Sequence, residues 1–179
     1  MASPVADAVA RSNGVLPSFD AESCDPRTLT VLLALLIHEE PRVVVEAGSY
    51  QGHFAVQAGG ILQAYNLSGR VWTADPADHG VADRIVAAGL AGRVFYHHTT
   101  FEELLTLCPA PIDFAFLDAT ERGGAAAMRL THLTTVLPLM RPGGLICVDD
   151  TKGDWCGVDV IRRAGIPLGG ARGLTVIRV

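Results

Sequence analysis

Glu46-Ala47-Gly48-Ser49-Tyr50-Gln51-Gly52 sets a carboxylate and two glycines in one turn, directly after the β-branched run Val43 to Val45. Three valines suit a strand covered on both faces. Gly48 and Gly52 let the main chain turn tightly and approach a ligand with no side chain between. A dinucleotide loop reads G-x-G-x-x-G with its first glycine straight after the strand. Here Glu46 holds that place and the spacing becomes E-x-G-x-x-x-G. An acid there repels a pyrophosphate and attracts a ligand that carries an ammonium group. Three later apolar runs also end in acid: "VWTADP" at Asp75, "IDFAFLDA" at Asp118 and "GGLICVDD" at Asp149 and Asp150. A carboxylate at the end of the second strand can accept both ribose hydroxyls of a nucleoside. Asp118, Asp149 and Asp150, converging in one cleft, repel one another unless a cation sits among them. An all-oxygen donor set favours Mg²⁺, with Ca²⁺ and Mn²⁺ as neighbours.

Other residues have two readings each. Asp75-Pro76 can simply start a turn, and Thr99 or Thr100 can simply cap the helix that follows, with Glu102 and Glu103 in its first turn. His97 and His98 are adjacent and point to opposite faces of a strand. His132 lies in a helix beside Leu130 and Leu133, where a packed histidine is the commoner case, and His53 starts the helix after the glycine turn. Trp155 either lines an acceptor pocket or covers the core edge.

The elements that must position these residues follow from the pattern of the chain. Asp25 reads as an N-cap with Pro26 at the first helical position, and Pro41 stops the helix after Glu39. Strands are expected at Arg42 to Glu46, Arg70 to Ala74, Arg93 to His97, Ile112 to Leu117, Leu145 to Val148 and Leu174 to Arg178. Helices are expected at Gly52 to Tyr65, Val81 to Ala88, Phe101 to Leu107, Gly124 to Val136 and Val158 to Ala164. Alternating units with short links predict a doubly wound, mostly parallel α/β sheet with ligands at the carboxyl ends of its strands. Residues 1–24 read as an N-terminal arm and 25–179 as a single domain, with 165–173 holding no more than a stub of strand.

Composition narrows the function classes. A net charge of -5, with 14 scattered basic residues, argues against a nucleic-acid partner. The run Leu29 to Ile37 is far short of the ~20 residues that span a bilayer, and Met1 to Asn13 lacks the pattern of a secretion signal. Cys24, Cys108, Cys147 and Cys156 form no C-x-x-C pair, which favours reduced thiols in a cytoplasmic protein.

"VVVEAGSYQG" resembles the glycine loop of class I S-adenosylmethionine (SAM) dependent methyltransferases, whose small O-methyltransferases read E-x-G-[ST]-x-x-G. The resemblance spans roughly Val43 to Val179. It implies a Rossmann-like fold with an antiparallel last strand at the edge. It also implies SAM lying across Glu46, Gly48, Ser49, Tyr50, Gly52, Asp75, Thr100 and Asp118, with Thr100 near the adenine. "FLDA" and "VDDTKGDWCG" are similar to the metal site of the catechol and caffeoyl-CoA type O-methyltransferases, with Asp150 where that family has Asn. This implies Mg²⁺ at Asp118, Asp149 and Asp150, where Asp118 and Asp150 would serve the reaction. The family's lysine base, three positions after the fourth-strand acid, is replaced by Glu121, and Lys152 follows the acid pair closely enough to act instead. A neighbouring group of natural-product enzymes reads F-x-D-x-x-H and does not always use a metal; Thr120 and Glu121 match neither. The expected acceptor is a small molecule bearing a hydroxyl. The pocket would be closed by the arm, by the loop after Asp150 or by the second subunit of a homodimer. The rival readings are a catalytically silent SAM-binding protein and, disfavoured by Glu46, a nicotinamide oxidoreductase.

Overall fold

The structure is a computed structural model that describes residues 10, 13–20, 23–119, 125–152, 158–168 and 172–179, with the backbone alone at 125–127. Glu121, Trp155 and Cys156, with Thr120 and the start of the helix expected at Gly124, lie outside the described residues.

Helix α1 (Pro26–Glu39) starts where Asp25 accepts a 2.7 Å hydrogen bond from the Arg27 N–H, and its buried Leu29, Leu32 and Leu36 form one apolar stripe. It ends at Glu40, whose left-handed backbone (φ 47°) turns the chain into Pro41. The sheet and helices then alternate: β1 (Val43–Ala47), α2 (His53–Ala64), β2 (Arg70–Ala74), α3 (Val81–Ala87), β3 (Val94–His97), α4 (Phe101–Leu107), β4 (Ile112–Leu117) and α5 (Ala125–Val136). A short 3₁₀ turn leads into β5 (Met140–Val148), α6 (Val158–Ala164), β6 (Ile166–Leu168) and β7 (Leu174–Arg178). None of the described helices is long and apolar enough to cross a membrane.

The sheet order is β3-β2-β1-β4-β5-β7-β6; β1 to β5 run parallel and β7 runs antiparallel to β5. The doubly wound sheet expected from the sequence is therefore present. One detail differs: the antiparallel strand is not at the edge. The stub β6 pairs outside it, and Pro167, which has no N–H to donate, is tolerated there because an outermost strand needs only one ladder. Strand β5 also begins earlier than Leu145. Met140 pairs with Ile112 across a shift in register, and Arg141 forms a 2.6 Å ion pair with Asp113.

Alternation divides the core between two faces. Val44, Phe114, Phe116, Leu145 and Cys147 meet α1, α2 and α3 on one side, while Val45, Ala115, Leu117, Ile146 and Val148 meet α4, α5 and α6 on the other. The strands are thus clamped from both sides, and their carboxyl ends are held in fixed register.

The turn after β1 touches the end of β4. Gly48 has φ 88°, and a Cβ there would stand 2.7 Å from the Ala119 Cα. Gly89 has a similar φ of 70° with open space around it. Gly48→Ala is therefore expected to destabilise the protein by about 2–4 kcal/mol, through strain plus collision, and Gly89→Ala by only about 1 kcal/mol. Denaturant melts of the two variants check this, and equal losses would contradict the close approach.

Candidate functional site

The strand order reverses between β1 and β4, both of which run parallel to their neighbours, so a crevice opens at their carboxyl ends. Main-chain hydrogen bonds extend the ladders into that crevice. The Gly48 and Ser49 N–H groups both donate to the Ala74 carbonyl (3.0 and 3.1 Å), Asp118 N–H donates to Ala47 (3.0 Å), and Asp149 N–H donates to Leu117 (3.1 Å). The acids are thus fixed by the sheet itself. Above them lies a cavity of about 1170 Å³. Of the residues singled out in the sequence, Glu46, Gly48, Ser49, Tyr50, Asp75, Thr100, Asp118 and Asp150 line it, as do His53, Glu102 and His132. Gly52, Asp149 and Lys152 are not among the lining residues. Gly52 caps the start of α2 with φ 83°, where a Cβ would stand 3.1 Å from Val81, and Lys152 is exposed.

Glu46 is 2% exposed. Its carboxyl accepts a 2.5 Å hydrogen bond from the Thr73 hydroxyl, which lies 2.5 Å from the Ser49 hydroxyl. Among the described residues no cationic side chain pairs with it. Burial first, opposed by the Thr73 hydrogen bond and reinforced by the charge of Asp75, pushes its pKa up to about 8. A buried acid beside a cavity, with no paired cation among the described residues, is a candidate site for a positively charged ligand.

Asp75 stands at the end of β2. One oxygen accepts the Tyr50 N–H (2.8 Å) and the other accepts the Ala77 N–H (2.9 Å). Tyr50 itself adopts a left-handed backbone, φ 42°. The carboxylate is held by main-chain donors and keeps lone pairs facing the cavity. Thr100 caps α4 by accepting the Glu103 N–H at 3.3 Å, and it also lines the cavity. Buried His132 sits on the same side: its ring meets Phe101 edge-on at 4.9 Å and its Nε2 lies 3.5 Å from Glu102.

The acidic group carries a residue that sequence reasoning missed. Arg129 of α5 is 1% exposed, and its Nη2 lies 2.7 Å from Asp150 Oδ2 and 3.7 Å from Asp118 Oδ1. The signal was available, because Arg129 stands on the stripe of Leu133 and Val136, at i, i+4 and i+7, where an apolar residue belongs. Asp150, in a left-handed conformation (φ 56°), also faces Arg172, whose Nε is 3.8 Å from Oδ1. Asp149 is fully buried; Thr28 lies 3.5 Å from its Oδ1, and its Oδ2 has no donor among the described residues. Burial, then Asp149 and Asp150, raises the Asp118 pKa well above the carboxylate range against the pull of Arg129. Burial and then Asp150 push Asp149 up to about 6.

Among the described residues, the three side chains whose ligand atoms approach within 4.8 Å of one another are Cys24, Asp118 and Asp149. The expected set of Asp118, Asp149 and Asp150 does not gather in that way. A soft thiol, its own pKa driven up first by burial and then by Asp118 and Asp149, is a poor third ligand for Mg²⁺. The residues present therefore do not fit the hard divalent ion that the resemblance implies.

Part of the N-terminal segment packs beside the cavity. Ser23 and Cys24 line it, Phe19 stacks on His53 at 4.2 Å, Pro17 O lies 3.0 Å from His53 Nε2, and the Tyr50 hydroxyl donates to Asp20 at 2.8 Å. Burial lowers the His53 pKa.

Solved structures of several methyltransferases share this architecture. An O-methyltransferase of Bacillus cereus in complex with SAH aligns over 100% of this chain and 91% of its own, at 20% identity and a TM-score of 0.67. The O-methyltransferase TomG of Streptomyces achromogenes, involved in tomaymycin synthesis and in complex with SAM, aligns over 98% and 89% at 20% identity and 0.67. The SAH-bound methyltransferase PaMTH1 of Podospora anserina aligns over 100% and 89% at 12% identity and 0.70. At these identities the likeness is one of fold, the class I methyltransferase fold. No curated protein sequence matches the chain significantly. A family model does: residues 45–151, more than half of the chain and all of the strand ends described above up to Thr151, match the methyltransferase domain, and the chain belongs to that family.

Proposed function

We propose that this chain transfers a methyl group from SAM to a small-molecule acceptor, with a hydroxyl oxygen as nucleophile. The observation that carries the reading is Glu46, a carboxyl group buried beside the cavity without a counter-charge among the described residues. SAM supplies both an ammonium group and an activated methyl, transferred in line to the acceptor. Glu46 receives positive charge, Gly48 brings the main chain against the ligand, Asp75 accepts from the ribose hydroxyls, and Thr100 and Phe101 frame the far end. The acceptor end lies under β4 and β5, where Cys24, His53 and Arg172 line the cavity and the segment ending at Cys24 excludes water. The chain then contributes mainly alignment, since holding two reactants in line removes much of the entropic barrier. The SAH- and SAM-bound O-methyltransferases of like fold support this assignment.

Titration calorimetry with SAM and SAH tests the first step. Saturable binding of one molecule per chain is expected, and a flat isotherm for both ligands contradicts the reading. Asp75→Ala removes two charged hydrogen-bond acceptors and should weaken SAM about 10- to 100-fold, whereas Lys152→Ala at the exposed surface should leave affinity unchanged.

A second outcome follows from the Glu46 pKa of about 8. Below that value the free protein holds Glu46 neutral, and a cation bound beside it favours the ionised form. SAM binding near pH 6.5 is therefore expected to release up to about one proton, and affinity should rise as pH climbs towards the free-state value. Calorimetry in buffers of different ionisation enthalpy measures this release. Glu46→Gln should abolish it, and the same release from that variant would remove Glu46 from the role.

A further inference from the structure

Within the reading just given, we propose that Arg129 is a positioning residue occupying the place of a divalent cation, so that the acids at the ends of β4 and β5 take no metal ion. Its guanidinium joins Asp150 at 2.7 Å and approaches Asp118 at 3.7 Å. Asp118 and Asp150 are thereby bridged by a positive group that is part of the chain. The side chain is 2% exposed, so the charge is permanently inside the site and is not an alternative surface partner. Guanidinium stays protonated at every working pH and presents a planar fork of donors, which suits two carboxylates on adjacent strand ends. Arg172 adds a second positive group on the outer oxygen of Asp150 at 3.8 Å.

Three observations follow from that occupancy. Asp150 turns to the two arginines and leaves the group of closely spaced ligand atoms, which is completed by the Cys24 thiol instead. An ion placed between Asp118 and Asp149 would lie near a buried guanidinium, where repulsion between like charges is poorly screened. Arg129 also stands on α5 among the buried residues that fix this helix against the sheet, Leu133 and Val136 included, so it cannot swing out without unpacking its neighbours. Arg129 performs one part of a metal's work, which is to hold adjacent acids in a fixed arrangement. It cannot perform the other, which is to take an acceptor oxygen into an open coordination position. Acceptor orientation then falls to the cavity walls and the N-terminal segment.

The experiment is a titration of Mn²⁺ into the full chain, with the free ion read by electron paramagnetic resonance. Wild type, Asp149→Asn, Arg129→Met and Arg129→Lys are compared. Wild type and Asp149→Asn are expected to bind Mn²⁺ equally weakly. Arg129→Met, which opens the acids, should gain affinity about tenfold or more, and Arg129→Lys, which keeps the charge, should not. Mn²⁺ bound by wild type and lost in Asp149→Asn overturns the proposal, and that comparison decides it even where Arg129→Met fails to fold. SAM calorimetry on the same wild-type sample keeps the two readings apart. Absent SAM binding counts against the function, whereas Asp149-dependent Mn²⁺ binding counts against the role of Arg129 alone.

Discussion

A single buried carboxyl group organises this protein. Glu46 lies next to the end of the central parallel strand, its carboxyl accepts a hydrogen bond from Thr73, and burial raises its pKa to about 8. An acid in that position is tolerable while it is neutral, and it becomes favourable as an anion only when a positive group arrives. The sheet imposes the position. β1 is paired on both sides, the chain bends at Gly48 against Ala119, and the Ala74 carbonyl takes two N–H groups from the turn. No small displacement could move Glu46 towards solvent without breaking these bonds.

The same construction sets the other acids. Asp75, Asp118 and Asp149 each donate a main-chain N–H to the neighbouring strand end, so their spacing is that of the strands. Their charges are managed in different ways. Asp75 accepts main-chain donors and remains at the cavity wall. Asp118 and Asp150 share Arg129, while Asp149 is sealed beneath with one oxygen unpaired among the described residues. The division matches the two halves of the crevice: a half under β1 and β2 whose buried acid has no paired cation among the described residues, and a half under β4 and β5 that holds Arg129.

Most of this was legible because the strands obey simple rules. Runs such as "VVV" and "FAFL" are apolar throughout, as fully covered parallel strands must be, and each is followed directly by an acid, which pointed to one end of the sheet. The first half of β5 was not legible, because "MRPGG" reads as a turn; it is held as strand by pairing to Ile112 and by the Arg141–Asp113 ion pair, both distant in sequence. The docking of residues 13–20, 23 and 24 was legible only as one of three ways to close the pocket, since their partners, His53 and Tyr50, lie far along the chain. Arg129 was legible in principle, being a charge on an apolar helical stripe. The direction of the Asp150 side chain was not, because it depends on a left-handed backbone that no residue type at that position announces.

The most direct measurement is the ionisation of Glu46 itself, followed by carboxyl-carbon NMR of glutamate-labelled protein with Glu46→Gln to assign the signal. The account predicts a resonance titrating near pH 8 in the free protein and converting to the carboxylate form at about pH 6.5 when SAM is added. A Glu46 signal that titrates in the ordinary carboxylate range and is indifferent to SAM would contradict it.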